Sequence, residues 1–162
     1  MKKHIASKKF YDFNLDSQNL DNVDHLSLIF RNVKQETGTD KKSFLLACVE
    51  IERHEIGLLC LGIKLRQNGY GVIYLGTDMP ASELGTVAAS KKINTLCLSV
   101  VNPVEEKMLG PYLESLRSVV NIETNIYVGG RAALYFAPKA FAHLNVEMCY
   151  SLADVLNRIE LI

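Results

Sequence analysis

The 162-residue sequence has no tryptophan, no net charge, four prolines and no apolar run approaching the length of a membrane-spanning helix. A span needs about 18 or more consecutive apolar residues, so membrane insertion is not expected. Eighteen basic side chains balance eighteen acidic ones. No net field therefore draws the whole chain to nucleic acid or to an anionic membrane, and direct nucleic-acid binding is not expected. Lys2, Lys3, Lys8 and Lys9 read as a solvated tail. The four cysteines, Cys48, Cys60, Cys97 and Cys149, lie far apart in apolar runs without C-x-x-C spacing, which excludes a zinc or dithiol motif and leaves reduced core thiols. The N-terminus lacks the apolar segment of a signal peptide, and the expectation is a cytoplasmic chain. Nucleophile-elbow and Walker sequences are also missing; the chain is not expected to be an enzyme by itself.

Hydrophobic residues make up 48% of the chain and charged residues 22%, enough apolar material for one core, and the length suits one domain plus an extension. Residues 1–41 read as a polar, partly helical N-terminal extension, and residues 42–162 as the globular domain. Within the extension, Leu26, Leu28, Ile29 and Val33 fall near one helical face, predicting a helix from Val23 to Lys34 capped by Asn22 or Asp24. Glu36-Thr37-Gly38-Thr39-Asp40 then reads as a helix stop.

From Ser43 onward, short β-rich apolar runs alternate with longer amphipathic segments, the pattern of βαβ units and a parallel sheet. Strands are predicted at Phe44–Val49, Gly71–Leu75, Thr95–Val100, Asn125–Val128 and Val146–Cys149, each almost continuously apolar, as for strands buried on both faces. Helices are predicted at His54–Gln67, Pro80–Lys91, Val104–Val119, Ala132–Ala142 and Leu152–Glu160, with Pro80 and Pro103 in first-turn positions. The fold class is α/β, a flavodoxin-like doubly wound five-stranded parallel sheet of order 2-1-3-4-5. Its ligands bind beyond the carboxyl ends of the strands.

That edge collects the loops Glu50–Gly57, Ser99–Pro103, Gly129–Arg131 and Tyr150–Ser151. The first carries Glu52-Arg53-His54, a histidine among carboxylates. An imidazole held at one nitrogen by a carboxylate and open at the other is the arrangement that metal ligation uses. By itself the histidine also fits a plain surface role, Ser99 fits a strand-end hydroxyl bonded to local backbone, and Gly129-Gly130 fits a turn.

The spacing changes the balance. Glu52-x-His54-x-x-Gly57 is followed by 41 residues, then Ser99-x-Val101, then 27 residues, then Gly129-Gly130. In order and distance this resembles the fingerprint of the cobalamin (vitamin B12) binding domain family, Asp-x-His-x-x-Gly, Ser-x-Leu and Gly-Gly, over about residues 42–160. The run Tyr74-Leu75-Gly76-Thr77-Asp78-Met79-Pro80 looks like the family's segment after strand two. The resemblance implies base-off cobalamin: the cofactor's dimethylbenzimidazole leaves cobalt for a slot between sheet and helices, and His54 becomes the lower cobalt ligand. It implies that Glu52 pairs with His54 and that Ser99 lines the slot or joins that pair. It implies too that Gly57, Gly129 and Gly130 leave room for the cofactor. Val101, Tyr150 and Ser151 are weaker candidates for the lining.

Two positions depart from the family pattern: Glu52 stands for Asp, and Val101 for Leu. Glu-x-His is similar to the motif in the C-terminal module of MerR-type, cobalamin-dependent light-sensing transcriptional regulators. The resemblance therefore implies a sensory module carrying adenosylcobalamin or methylcobalamin, with a partner domain or protein over the upper corrin face. Those regulators cap that face with a helical bundle bearing a tryptophan, and this chain has none. About 40 residues precede the first strand, against roughly 80 for a four-helix bundle. The chain thus reads as a piece of a longer regulator or as a stand-alone module. Alternatives are a corrinoid carrier subunit for methyl transfer and a domain that has lost its cofactor. A response-regulator receiver would need an Asp where Ser99 ends strand three, and a flavodoxin would need a hydroxyl-rich loop after strand one.

Overall fold

The computed structural model describes residues 20–35, 41–103 and 106–160. The basic residues at 2, 3, 8 and 9, the polar run 36–40 and Val104 lie outside them. Among the described residues the elements run α1 (Leu20–Asn32), β1 (Ser43–Val49), α2 (Ile56–Gln67), β2 (Gly71–Met79), α3 (Ala81–Ser90), β3 (Thr95–Ser99), α4 (Glu106–Val119), β4 (Asn125–Gly129), β5 (Val146–Met148) and α5 (Leu152–Glu160). The strands form one parallel sheet of order β2-β1-β3-β4-β5, the flavodoxin-like order expected.

Strand periodicity builds two cores, one on each face. Leu45, Ala47, Leu96, Leu98, Ile126 and Val128 face α3 and α4 with Leu84, Leu109, Leu113 and Leu116. Phe44, Leu46, Cys48, Cys97, Tyr127 and Cys149 face the opposite layer with residues of α1, α2 and α5. In α3, Ala81, Leu84, Gly85 and Ala88 fall on one buried stripe, at the helical spacing that packs one face. A Cβ on Gly85 would stand 3.0 Å from Val119, so this glycine sets the close approach of α3 and α4.

The N-terminal helix is part of this packing. It starts at Leu20, earlier than the predicted Val23, which puts Asn22 and Asp24 inside its first turns and not at a cap. Leu26 and Phe30 are buried, and the Phe30 ring lies against Gly62 of α2, where a Cβ would approach it to 2.8 Å. Arg66 stacks its guanidinium 3.6 Å from the centre of that ring and donates to the Phe30 carbonyl at 2.7 Å; cation–π contact and hydrogen bond tie α1 to α2.

Four further predicted elements differ from the structure. The run Ala132–Ala142 is not an α-helix: it forms 3-10 turns at Arg131–Tyr135 and Ala142–Leu144. Pro138 lacks an N–H and disfavours helical backbone at the residue before it, and Phe136 is already extended. The second strand runs on to Met79 with two register shifts against β1, because Gly76 (φ +97°) and Asp78 (φ +56°) bulge without leaving the sheet. His54 precedes α2, with Glu55 at the N-cap, and Pro80 is the extended N-cap of α3, not a first-turn residue. Cys48, Cys97 and Cys149 are buried as expected, but Cys60 is half-buried.

Candidate functional site at the carboxyl edge of the sheet

Beyond Val49 the chain turns sharply: the Glu52 N–H donates to the Val49 carbonyl at 3.0 Å, with Ile51 at φ +69° inside the turn. This turn directs the Glu52 side chain inward, where it is 3% exposed. Its Oε1 accepts the N–H of Arg53 and of His54, both at 2.8 Å, and meets His54 Nδ1 at 2.6 Å. Its Oε2 accepts the N–H of Val101 at 2.8 Å and of Asn102 at 2.7 Å. The Asn102 side-chain amide reaches Oε1 at 3.4 Å. One carboxylate thus joins the loops after β1 and β3.

Burial by itself raises the Glu52 pKa. The N–H of Asn102, the N–H and imidazole of His54 and the N–H of Val101 outweigh it and hold the carboxyl below its ordinary 4.5. An ionised carboxylate accepts from Nδ1–H, and in the neutral imidazole that donation leaves the lone pair on Nε2. Nε2 has no hydrogen-bond partner among the described residues, and the His54 side chain is 20% exposed. The carboxylate therefore orients the histidine and leaves its second ring nitrogen open. Behind it, Cys48 Sγ contacts the His54 carbonyl at 3.6 Å, and the Tyr74 hydroxyl donates to the Glu55 carboxylate. Burial, then Glu55, push the Tyr74 phenol far above its ordinary range, so it remains a donor. The Cys48 thiol is pushed up to about 12 by burial, with the Glu52 and Glu55 charges adding to it.

Beside this knot a cavity of about 330 Å³ opens between the sheet and the helices α2 and α5. Of the nine residues singled out from the sequence, Gly57, Ser99, Val101, Gly129, Gly130, Tyr150 and Ser151 line it; Glu52 and His54 form the knot at its side. Ser99 and Gly129 are register partners on β3 and β4, which explains how motifs far apart in sequence share one wall. Three glycines have different reasons to be there. A Cβ on Gly57 would meet nothing within 4 Å, and one on Gly129 only the Cys149 carbonyl at 3.6 Å. At Gly130, φ is +102° and a Cβ would stand 2.4 Å from the Val100 carbonyl oxygen, so the chain's own backbone demands glycine.

Ser99 is not joined to the histidine–carboxylate pair: both Glu52 oxygens are already occupied by the donors above. Its hydroxyl makes no hydrogen bond among the described residues and faces the cavity. Ser151 has a structural task as well, since its Oγ accepts the Asp154 N–H at 3.0 Å while Asp154 accepts the Tyr150 N–H at 3.0 Å. That is a reciprocal cap at the start of α5. The Tyr150 hydroxyl donates to the Phe136 carbonyl at 3.0 Å, holding the segment after β4 over the cavity.

Residues that sequence reasoning missed include Cys97, Tyr127 and Cys149 in the cavity wall. The period of two along a strand would have found the first two, stepping back from Ser99 and Gly129 on the same face. Asn102 carried no signal beyond its place after Ser99-x-Val101, because its main contribution is a backbone N–H.

The fold and this site define a flavodoxin-like parallel α/β domain with a carboxylate-braced histidine beside an apolar cavity. In sequence the chain is 34% identical over 89 residues to the HTH-type transcriptional repressor CarH and 36% identical over 90 residues to the HTH-type transcriptional repressor CarA, both of Myxococcus xanthus. Each match covers 55% of this chain, and the matched segments span 30% and 31% of the two relatives. In fold it is similar to three solved structures. A cobalamin-binding protein from Desulfitobacterium hafniense DCB-2 aligns with TM-score 0.59 and 16% identity, over 75% of this chain and 59% of that one. The monomethylamine corrinoid protein of Methanosarcina barkeri aligns with TM-score 0.60 and 17% identity, over 86% and 66%. The methanol:cobalamin methyltransferase complex MtaBC of Methanosarcina barkeri aligns with TM-score 0.61 and 20% identity, over 74% and 45%. At these identities the structural likeness shows the fold. No protein-family model matches the chain.

Proposed function

We propose that this chain binds cobalamin in the base-off form, with His54 as the lower cobalt ligand, and that it is the sensory module of a transcriptional regulator. The observation that carries the reading is the His54–Glu52 pair: Nδ1 is held at 2.6 Å by a carboxylate anchored on four backbone N–H groups, and Nε2 is open. A second residue that orients a ligating histidine and fixes its tautomer is the usual support of such a ligand. Among the described residues no three His, Cys, Asp or Glu side chains gather around one point. Cobalt in a corrin would need no such cluster, because the macrocycle would bring its own nitrogen donors and leave His54 as the one ligand from the protein. The cavity suits the displaced base: its volume falls at the lower end of the range of roughly 300–1,000 Å³ for small-ligand pockets. The open space at Gly57, which nothing in the protein requires, fits a ligand packed against the start of α2.

In this reading His54 binds the cobalt, Glu52 holds the imidazole by Nδ1 and turns it, and Ser99 offers a hydroxyl to the buried base. The cofactor when bound supplies the light-labile or group-carrying cobalt–carbon bond. Cobalamin is the partner the site fits, and the regulator role follows the similarity to the two Myxococcus repressors. The test is the visible spectrum of hydroxocobalamin mixed with the chain. Wild type is expected to shift it, and His54→Ala to lose the shift. Identical spectra for wild type, mutant and free cofactor overturn the reading.

The fold likeness to corrinoid proteins of methyl transfer favours a second reading, a carrier subunit. Light-dependent loss of the adenosyl group coupled to a change of oligomeric state supports the sensor; methyl transfer with a partner protein supports the carrier.

A further inference from the structure

We propose that Asp78, at the end of β2, is a positioning residue that holds the Glu52–His54 turn in its ligand-ready shape; the inference rests on the reading of His54 given above. The segment Tyr74–Pro80 lies away from the cavity, with Tyr74 bonded to Glu55 behind His54, and its backbone is the most irregular of the sheet. Between Leu46 and Val49 of β1, the pairing on β2 advances from Tyr74 to Met79, so β2 carries two extra residues there. Gly76 and Asp78 absorb them at φ +97° and φ +56°. The result brings Asp78 beneath the turn that follows β1.

The two segments then clasp each other. Asp78 Oδ1 accepts the Ile51 N–H at 2.7 Å, and the Asp78 N–H donates to the Glu52 carbonyl at 2.9 Å. Ile51 is the residue that needs such a clasp. It is β-branched at φ +69°, a conformation L residues with a branched Cβ avoid, in a turn position that ordinarily takes Gly or Asn. Its side chain is 68% exposed, so no packing in the described core holds it there. Backbone outliers of this kind persist only where the surroundings over-determine them, and the Asp78 carboxylate and amide are the contacts that do so. Releasing Ile51 lets the turn relax, and Glu52, next in the chain, swings away from the Val101 and Asn102 N–H groups that fix His54.

The experiment uses the full chain and hydroxocobalamin as probe, with wild type, His54→Ala, Asp78→Ala, Asp78→Asn, Ile51→Gly and the double variant Ile51→Gly/Asp78→Ala. Affinity and visible spectrum are read with cofactor, and amide exchange at Arg53, His54, Val101 and Asn102 without it. Asp78→Ala is expected to weaken His54-dependent binding by about tenfold, the lower end of losses for residues that orient a ligand, and to speed exchange at those four amides. Asn accepts the same hydrogen bond and tolerates left-handed backbone, so Asp78→Asn is expected to stay within about threefold of wild type. Glycine adopts the turn without help, so Asp78→Ala is expected to change affinity and exchange by less than about threefold in the Ile51→Gly background. If Asp78→Ala binds and exchanges like wild type while His54→Ala loses the spectral shift, the clasp is wrong and the ligand assignment stands. An equal loss from Asp78→Ala with and without Ile51→Gly also overturns it. A wild-type spectrum unchanged by His54→Ala overturns the ligand assignment itself and the clasp with it.

Discussion

The two halves of the carboxyl edge are built on opposite terms. Around Glu52 and His54 every polar group that the carboxylate can reach is used: four backbone N–H groups and an imidazole converge on two oxygens. Around Gly57, Ser99 and Gly129 the structure instead leaves room, with a hydroxyl facing a cavity and glycines whose missing side chains the protein does not fill. The first half is organised by hydrogen bonds and resists change; the second lines a cavity and tolerates it. Stability and binding should therefore separate between them.

The largest effect is expected at the knot. Glu52→Ala removes the acceptor of four N–H groups in one step and should destabilise the fold by about 3–5 kcal/mol in urea unfolding, as for breaking a buried charged network from one side. Next comes Gly130→Ala, which belongs by position to the cavity half but by geometry to the rigid one. With φ at +102° and the Val100 carbonyl in the way, it should cost about 2–3 kcal/mol. A value near zero there would break the comparison.

Acid sensitivity tests the knot without deleting it. The folded pKa of Glu52 is depressed, so its contribution is fully present above the unfolded value near 4.5 and is lost as pH falls through the lower folded value. Wild type should exceed Glu52→Gln in stability at pH 7, and the gap should close on acidification below that value; a constant gap would mean that the carboxylate charge is irrelevant. In the cavity half, Gly57→Ala should leave stability unchanged or raise it by about 0.5 kcal/mol, since alanine is the better helix former, while weakening the cobalamin binding proposed above. The smallest effect concerns Cys149 in the cavity wall. Burial, then the Asp154 charge, push its thiol up to about 12, so native-state alkylation at pH 8 should run at least about tenfold slower than for an exposed cysteine.

Much of this architecture can be read in the chain alone. The five strands follow from short apolar runs buried on both faces, where Leu45 and Leu46 point to different cores yet are both fully buried, and their order is the one that five-stranded doubly wound sheets commonly take. The segment after Arg131 misleads because Ala132, Ala133, Leu134 and Tyr135 favour helix locally, while Pro138 and the extended Phe136 end it at once. The motif spacing brings Gly57, Ser99, Val101, Gly129 and Gly130 around one cavity because Ser99 and Gly129 sit opposite each other in the sheet.

What sequence by itself determined was periodicity and distance: which runs are strands, where the chain turns, and that Glu52, His54, Ser99 and Gly129-Gly130 meet at one edge. These are local or additive properties, set by side-chain hydrophobicity and by the fixed rise of each element. Only the tertiary structure decided that Glu52 binds the backbone of Val101 and Asn102, that Asp78 clasps Ile51, and that Ser99 stands apart from the histidine. Those contacts are made by backbone N–H groups that every residue type except proline carries. No side-chain pattern marks which of them will meet a carboxylate some fifty residues away.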